Sequence, residues 1–298
     1  SAINGMVYVR GQAADYDRWA ALGNAGWSYQ DVLQLFRRSE DNENGSNAFH
    51  GAGGPLWVGN VRNEFPICDD FIAAARQAGH PLNPDINADT QAGVAFFPHN
   101  IRHGKRWSSA TAFLGAGKPL PNLTVLTGAL TRSVLTENGK AVGVDAVIGG
   151  HVRRIRARRE VILCGGAINS PQILERSGIG QADRLQALGI RVIADVPGVG
   201  ENLHDHWNGY IKQGVAQGRT YYSESKPLAM LKNLFRYLTR KESFLANPAA
   251  MVAVFYSALD DAGRADAQIH FAPAASEYDA RGNMVPIDGN TIASCGLR

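Results

Sequence analysis

The chain has 298 residues, 45% hydrophobic and 19% charged, with a formal net charge of +3. That length allows one large domain or two of roughly 150 residues each, and the composition excludes intrinsic disorder. So small a net charge gives no electrostatic footprint for nucleic acid, and no apolar run reaches the roughly 18 residues that a bilayer span needs.

The chain opens on a small-residue turn, SAINGMVYVRG, with no initiator Met and no secretory pattern ahead of it. DYDRWAALG and WSYQDVLQLFRRS then read as helices, the second capped by Ser28 with Val32, Leu33, Leu35 and Phe36 as its apolar face, ended by the acidic, Asn-rich stretch 40–45. FHGAGGPLWVGNVRN reads as a glycine-rich loop holding one short strand, LWV. DDFIAAARQAGH reads as a helix with an acidic first turn and a terminal Gly79, and residues 81–97 as an irregular surface excursion.

From Asn122 onward, branched apolar residues alternate and turn signals recur at Asn138-Gly139 and Gly149-Gly150, the pattern of a β-meander. The run VILC predicts a strand buried on both faces of a parallel sheet, and Asn169-Ser170-Pro171 a cap for the helix PQILERSGIG. A helix over ADRLQALG and a strand over RVIADVPGVG follow. Beyond Asp205 the pattern turns to a helix, LAMLKNLFRYLTRKES, and strands MVAVFYSAL and AQIHFAPA, which puts a domain change near residue 206.

Three cysteines, Cys68, Cys164 and Cys295, lie far apart without metal spacing, which fits a reducing compartment better than a disulfide framework. His204 and His206 offer too few ligands for a metal and read instead as hydrogen-bonding residues at the domain junction. The run HVRRIRARRE carries five arginines and reads as an exposed strand with one wet face rather than an anion site. Asn44-Gly45-Ser46 and Asn122-Leu123-Thr124 are glycosylation sequons, relevant only on a secretory route. Gly165-Gly166 between a strand and a helix is compatible with a nucleotide site, although most such turns are only turns.

Taken in order, SAINGMVYVRG, GAINSPQILERSGIG and GVGENLHDH resemble the glucose-methanol-choline (GMC) family of FAD-dependent oxidoreductases, with FHGAGGPL and NLTVLTGAL similar to further family segments. The resemblance covers essentially the whole chain. It implies an α/β fold: a partial FAD-binding Rossmann-like domain (1–62 and 110–205) plus part of an α+β substrate domain with an antiparallel sheet (63–109 and 206–298). By the same resemblance Asn4, Gly5, Met6 and Val7 form the turn along the flavin and pyrophosphate. Thr131 stands where relatives place a valine whose backbone meets adenine, and Gly165 and Gly166 form a strand-end turn against the cofactor.

The resemblance also implies a middle piece, without the GxGxxG unit and without the catalytic His pair, which relatives carry beyond a segment like CGLR. No catalytic residue is therefore assigned. Some relatives bond the flavin covalently through a His where this chain has Ile3, so FAD is expected to dissociate. The implied reaction is oxidation of a choline-like or other primary alcohol to the aldehyde, in the choline and alcohol dehydrogenase branch, with dehydrogenase favoured over oxidase. The isolated chain is expected to be inactive. The rival readings are a hydroxynitrile lyase of the same family and a non-catalytic remnant. The partner is a small-molecule alcohol, with the electron acceptor and homo-oligomerisation left open, no metal, and a cytoplasmic setting, peripheral membrane association being left open as well.

Overall fold

The computed structural model describes residues 4–63, 65–115, 120–215, 218–259, 264–281, 284–287 and 290–297. The chain divides into two compact units, Ser1–Leu120 with His206–Arg298, and Pro121–Asp205.

The first unit begins with helices α1 (Ala13–Ala21) and α2 (Tyr29–Ser39). Ser28 caps α2 as its sequence predicts: Ser28 Oγ accepts from the Asp31 amide at 3.3 Å, and Asp31 Oδ2 accepts from the Ser28 amide at 3.2 Å. Of the expected apolar face, Val32 and Leu33 are buried whereas Leu35 is exposed. The acidic stretch after α2 does more than end it. Glu40–Asn42 forms strand β1, parallel to β2 (Leu56–Val58), because Glu40 turns inward onto buried partners.

Helix α3 (Pro66–Gln77) starts three residues ahead of DDFIAAARQ, with Pro66 in its first turn. The segment read as irregular ends in strand β3 (Gly93–Phe96), buried against the sheet through Val94 and Ala95. A short hairpin, β4 (Ile101–Arg102) and β5 (Lys105–Arg106), and helix α4 (Ser109–Phe113) complete this part.

The second unit is built on the expected meander, β6 (Ala129–Glu137), β7 (Lys140–Ile148) and β8 (His151–Arg156), all antiparallel. Both connections are two-residue turns with positive φ at each position, Asn138 (50°) and Gly139 (74°), then Gly149 (59°) and Gly150 (82°). Such turns match the strand twist and demand Asn or Gly. Helix α5 (Gly166–Arg176), strand β9 (Ile179–Gly180), helix α6 (Ala182–Ala187) and strand β10 (Ala194–Asp195), parallel to β9, follow.

Two expectations fail in this unit. VILC is not a strand: residues 161–164 have no strand partner among the described residues, and Ile162 is 73% exposed. An apolar run becomes a strand only when a neighbour takes up its amides and carbonyls. Helix α5 starts at Gly166 rather than Pro171, which lies inside it. Pro171 costs the second turn one hydrogen bond without stopping the helix.

The chain then returns to the first unit through β11 (Trp207–Gly214), α7 (Tyr221–Ser225), α8 (Pro227–Arg240) and a 3-10 turn at Phe244–Ala246. Strands β12 (Val252–Tyr256), β13 (Ala267–Ala272), β14 (Ser276–Tyr278), β15 (Met284–Pro286) and β16 (Asn290–Leu297) close it. Five strands form one antiparallel sheet in the order β11-β16-β13-β12-β3.

Strand β12 is the centre of the core. Val252 and Val254 face α3 with Phe65, Cys68 and Phe271, while Ala253 and Phe255 face Ala95 and Phe97 on the other side. Burying a side chain such as Phe255 contributes about 1.5–3 kcal/mol. A strand so enclosed reads as a continuous apolar run.

Candidate functional site

The seven residues singled out by resemblance fall in two groups, four in the first unit and three in the second.

In the first unit the chain bends sharply at Asn4-Gly5-Met6. Asn4 Oδ1 accepts from the Met6 amide at 2.9 Å, and Met6 sits at φ 66°, a left-handed conformation unusual for its side chain. Arg106 at the end of β5 holds the bend from outside, donating to Asn4 Oδ1 at 2.8 Å and to the Asn4 carbonyl at 3.2 and 3.3 Å. The Asn100 amide donates to the Met6 carbonyl at 2.7 Å, and the Tyr8 amide to the Pro98 carbonyl at 2.7 Å. Val7 forms an antiparallel bridge with His99, which is bridged in turn to Gly59.

Strain at Met6 thus persists because three neighbours fix it, a pattern that recurs where backbone is shaped for a ligand. Gly5 is less constrained than expected. A Cβ there would meet Ala249 Cβ at 3.6 Å, an ordinary contact, so nothing in this chain excludes a side chain at Gly5. His99 is 5% exposed, and its Nδ1 has no partner among the described residues. Burial holds its pKa below the usual value, so the ring is neutral at pH 7.

In the second unit Thr131 lies half-buried on β6, opposite Ala146. The register slips between Thr131 and Ser133, a bulge that takes Arg132 out of the ladder. Gly165 is the N-cap of α5, its amide donating to Ser170 Oγ at 2.9 Å. Gly166 follows at φ 80°, and a Cβ there would meet nothing within 4 Å. The expected strand-end turn is therefore a coil-to-helix turn, since 161–164 is not a strand. The N-cap residue supplies no side-chain hydrogen bond to the helix start. Ile3 lies outside the described residues.

A third cluster was invisible in the sequence. Glu40, fully buried at 0% exposure, accepts from Arg10 Nη2 at 2.8 Å, His50 Nδ1 at 3.0 Å, the Gly51 amide at 3.1 Å and Asn42 Nδ2 at 3.2 Å. His50 Nε2 meets Asp85 Oδ2 at 2.8 Å, and Arg10 also donates to the Phe49 carbonyl at 2.7 Å. The Arg10 amide donates to Asn87 Oδ1 at 2.8 Å. This network ties the extended segment 8–10 that follows the Asn4–Val7 bend to α2, to the glycine-rich loop and to the 83–91 segment. Its one sequence signal is the burial of charged residues, which spacing does not reveal.

Burial alone would push His50 down, but its hydrogen bonds to Asp85 and Glu40 outweigh that and raise it to about 9. Burial alone would raise Glu40 and Asp85; the bond from His50 to each, and the charge of Arg10, leave both lowered. An imidazolium with both ring N–H groups on carboxylates accounts for all three directions, and Asn42 Nδ2 then donates to Glu40 rather than to the ring. A raised His stabilises the fold fully below its unfolded value and loses that contribution as pH rises through the folded one. The melting temperature is therefore expected to fall by about 5 °C between pH 6.5 and 9, and His50→Gln to flatten this slope. A wild-type slope equal to that of His50→Gln, measured by calorimetry across that window, contradicts the assignment. At the acid end Glu40 begins to lose its contribution as pH falls below its ordinary value of 4.5, and Asp85 as pH falls below 3.8.

The remaining sequence candidates resolve differently. His206 lies within hydrogen-bond distance of Gln268, 3.2 Å from its Nε2. No group of three or more His, Cys, Asp or Glu that could hold a metal ion occurs among the described residues. The arginine-rich strand β8 is exposed at all six residues, so it has two wet faces, not one. Asp145 on the adjacent β7 pairs with Arg154, and Glu137 at the end of β6 pairs with Arg156.

The Asn4–Val7 bend, the left-handed Gly166 that opens α5 and the meander β6–β8 all lie within the part of the chain that a family of oxidoreductases matches. Residues 1–208 match the family model described as GMC oxidoreductase, and the chain belongs to that family. It is 40% identical over 281 residues to the oxygen-dependent choline dehydrogenase of Brucella anthropi, covering 94% of this chain and 51% of that protein. It is 41% identical over 273 residues to the mitochondrial choline dehydrogenase of Homo sapiens, covering 92% of this chain and 46% of that protein. The chain thus spans about half the length of the curated relatives it matches.

Among solved structures, pyridoxine 4-oxidase from Mesorbium loti superposes with a TM-score of 0.80 at 26% identity, over 100% of this chain and 55% of that one. A formate oxidase superposes with a TM-score of 0.87 at 20% identity, over 99% and 57% of the two chains, a likeness of fold.

Proposed function

We propose that the chain is the flavin-contacting part of a GMC oxidoreductase that oxidises a choline-like or other primary alcohol to its aldehyde, with FAD held non-covalently. The observation that carries this reading is the Asn4–Val7 bend, whose left-handed Met6 is fixed by Asn4 Oδ1 and by Arg106. The residues present fit a flat, polar group. The bend offers backbone with little side-chain bulk at Gly5, and the Gly165-Gly166 turn offers an uncapped helix start with open space over its left-handed glycine.

When bound, FAD supplies a ring that takes up hydride from the substrate carbon. Toward that end Asn4, Gly5, Met6 and Val7 are assigned the flavin and pyrophosphate side. Thr131 is assigned to adenine through its main chain, where the neighbouring bulge loosens the ladder, and Gly165 and Gly166 to the cofactor through backbone amides. Ile3 has no atom that bonds covalently to flavin. Residues 1–62 and 110–205 are read as serving the cofactor, and 63–109 with 206–298 as serving the alcohol; these functional divisions cut across the two packing units. None of this chain's eight histidines is assigned as the base that removes the hydroxyl proton. The chain alone is expected not to turn over.

Titration of the chain with FAD, followed by flavin fluorescence, tests the reading. Asn4→Ala and Arg106→Ala each remove hydrogen bonds involving a charged donor and are expected to weaken binding by about tenfold. Binding unchanged in both variants contradicts the assignment of the bend. Acid precipitation is expected to release all the flavin, and flavin retained in the pellet contradicts non-covalent attachment.

A further inference from the structure

The hairpin that holds the Asn4–Val7 bend is gripped in turn from its other face. Strands β4 and β5 are joined by a two-residue turn, His103 and Gly104, at φ 51° and 71°. Ile101 pairs with Arg106, and Arg102 with Lys105. Side chains alternate along a strand, so Arg102 and Arg106 lie on opposite faces of this small ribbon. Arg106 meets Asn4, and the backbone just ahead of β4 meets the bend twice more, through the Asn100 amide on the Met6 carbonyl and the Pro98 carbonyl on the Tyr8 amide, both at 2.7 Å.

Arg102 reaches the other way, onto β1 and β2. Its guanidinium carbon lies over the Trp57 ring, 4.5 Å from the centroid, and over the Trp107 ring at 5.2 Å, and its Nη2 is 3.4 Å from Asp41 Oδ2. Asp41 and Trp57 are register partners, so one guanidinium spans both strands of that pair. Each tryptophan is tied to backbone: Trp107 Nε1 donates to the Pro55 carbonyl at 2.8 Å, and the Trp57 carbonyl accepts from Asn100 Nδ2 at 2.7 Å. A cation within about 6 Å of an aromatic face is attracted by it, and a guanidinium adds a flat stacking surface that an ammonium lacks. At the tip of the hairpin the Tyr237 hydroxyl donates to the Gly104 carbonyl at 3.1 Å. Asn100 joins the two sides, with its amide on Met6 and its side chain on Trp57.

We propose that Arg102 is a positioning residue for the cofactor: stacked on Trp57 and Trp107, it sets the β4–β5 hairpin so that Arg106 and Asn100 hold the Asn4–Val7 bend in its ligand-binding shape. The left-handed Met6 needs such support, because strain of this kind persists only where the surroundings over-determine it. All of these contacts lie within the first unit. The cofactor role rests on the assignment of Asn4–Val7 to FAD; the hold of Arg102 on the bend does not.

Amide hydrogen exchange and titration with FAD, both on the 298-residue chain, test the two parts separately. Arg102→Ala is expected to speed exchange of the Tyr8 and Asn100 amides about fivefold or more, while the amides of β12, at the centre of the core, keep wild-type rates. It is also expected to weaken FAD binding about fivefold, and Arg102→Lys, which keeps a cation on the two rings, to recover part of both effects. Combined with Arg106→Ala it should weaken FAD binding by less than the product of the two single losses, since both act on one hairpin. Unchanged exchange at Tyr8 and Asn100 overturns the proposal and leaves the assignment of the bend intact. Acceleration that reaches β12 equally also overturns it, by making Arg102 a part of general stability, as do losses that multiply in full or a lysine variant no better than the alanine one. FAD affinity unchanged in Arg102→Ala overturns it too; if Asn4→Ala and Arg106→Ala leave that affinity unchanged as well, the assignment of the bend to FAD falls with it.

Discussion

Glu40→Ala is expected to lower the melting temperature of the chain by about 10 °C. The carboxylate is fully enclosed and satisfies Arg10, His50, Asn42 and the Gly51 amide at once. Truncation leaves the Arg10 guanidinium, itself 4% exposed, with the Phe49 carbonyl and the Tyr8 hydroxyl as neutral partners only. Removing one member of a buried ion pair costs about 3–5 kcal/mol, mostly as the penalty on the charge left behind. At roughly 2–4 °C per kcal/mol for a polypeptide of this size, the expected drop follows.

Two further variants separate charge from volume. Glu40→Gln keeps the shape and most hydrogen-bonding sites, so it should lose less than Glu40→Ala. The double variant Arg10→Met with Glu40→Leu should be more stable than either of its single parents, because it removes both charges together. Calorimetry on the set decides the matter, and a Glu40→Ala melting point within about 2 °C of wild type removes the network from any account of stability.

That network also marks the limit of what the sequence discloses. Elements set by local rules were legible: α2 from Ser28 and Asp31, and the meander from Asn138-Gly139 and Gly149-Gly150, where backbone geometry admits few residue types. Elements set by distant partners were not. Strand β11 is exposed along all eight residues, so no apolar alternation announces it; it exists because it pairs with β16. Strand β3 sits among prolines and asparagines yet is fixed by β12, and VILC has a strand's composition without a strand's neighbour.

The candidate site divides along the same line. Asn4–Val7, Thr131 and Gly165-Gly166 are singled out by resemblance alone; of these, Met6 and Gly166 stand at positive φ, which local sequence rules predict for the glycine and not for the methionine. Gly5 has neither a positive φ nor a contact within this chain that demands glycine. Arg106, which holds the bend, was missed because it lies 102 residues from Asn4.

The glycine-rich loop supplies the sharpest contrast between two kinds of glycine. A Cβ at Gly51 would lie 1.7 Å from the Arg37 carbonyl oxygen and 2.6 Å from its carbon, both backbone atoms of the last turn of α2. Neither side is free to yield, because the Gly51 amide is bound to Glu40 and its carbonyl accepts from the Asn42 amide at 2.9 Å. Gly54 is packed in the same way, its Cβ position 2.5 Å from the Ser39 carbonyl carbon. Between them Gly53 stands at φ 80° with nothing within 4 Å of a Cβ, so only torsion opposes a side chain there. Gly51→Ala is therefore expected to cost about 3 kcal/mol or more by forcing the loop off α2 and loosening the Glu40 network, whereas Gly53→Ala should cost about 1–2 kcal/mol. Urea unfolding of the two variants beside wild type reads the difference directly. Equal losses at the two positions mean that the loop does not rest its backbone on α2, and the geometry that brings His50 to Glu40 then loses its support.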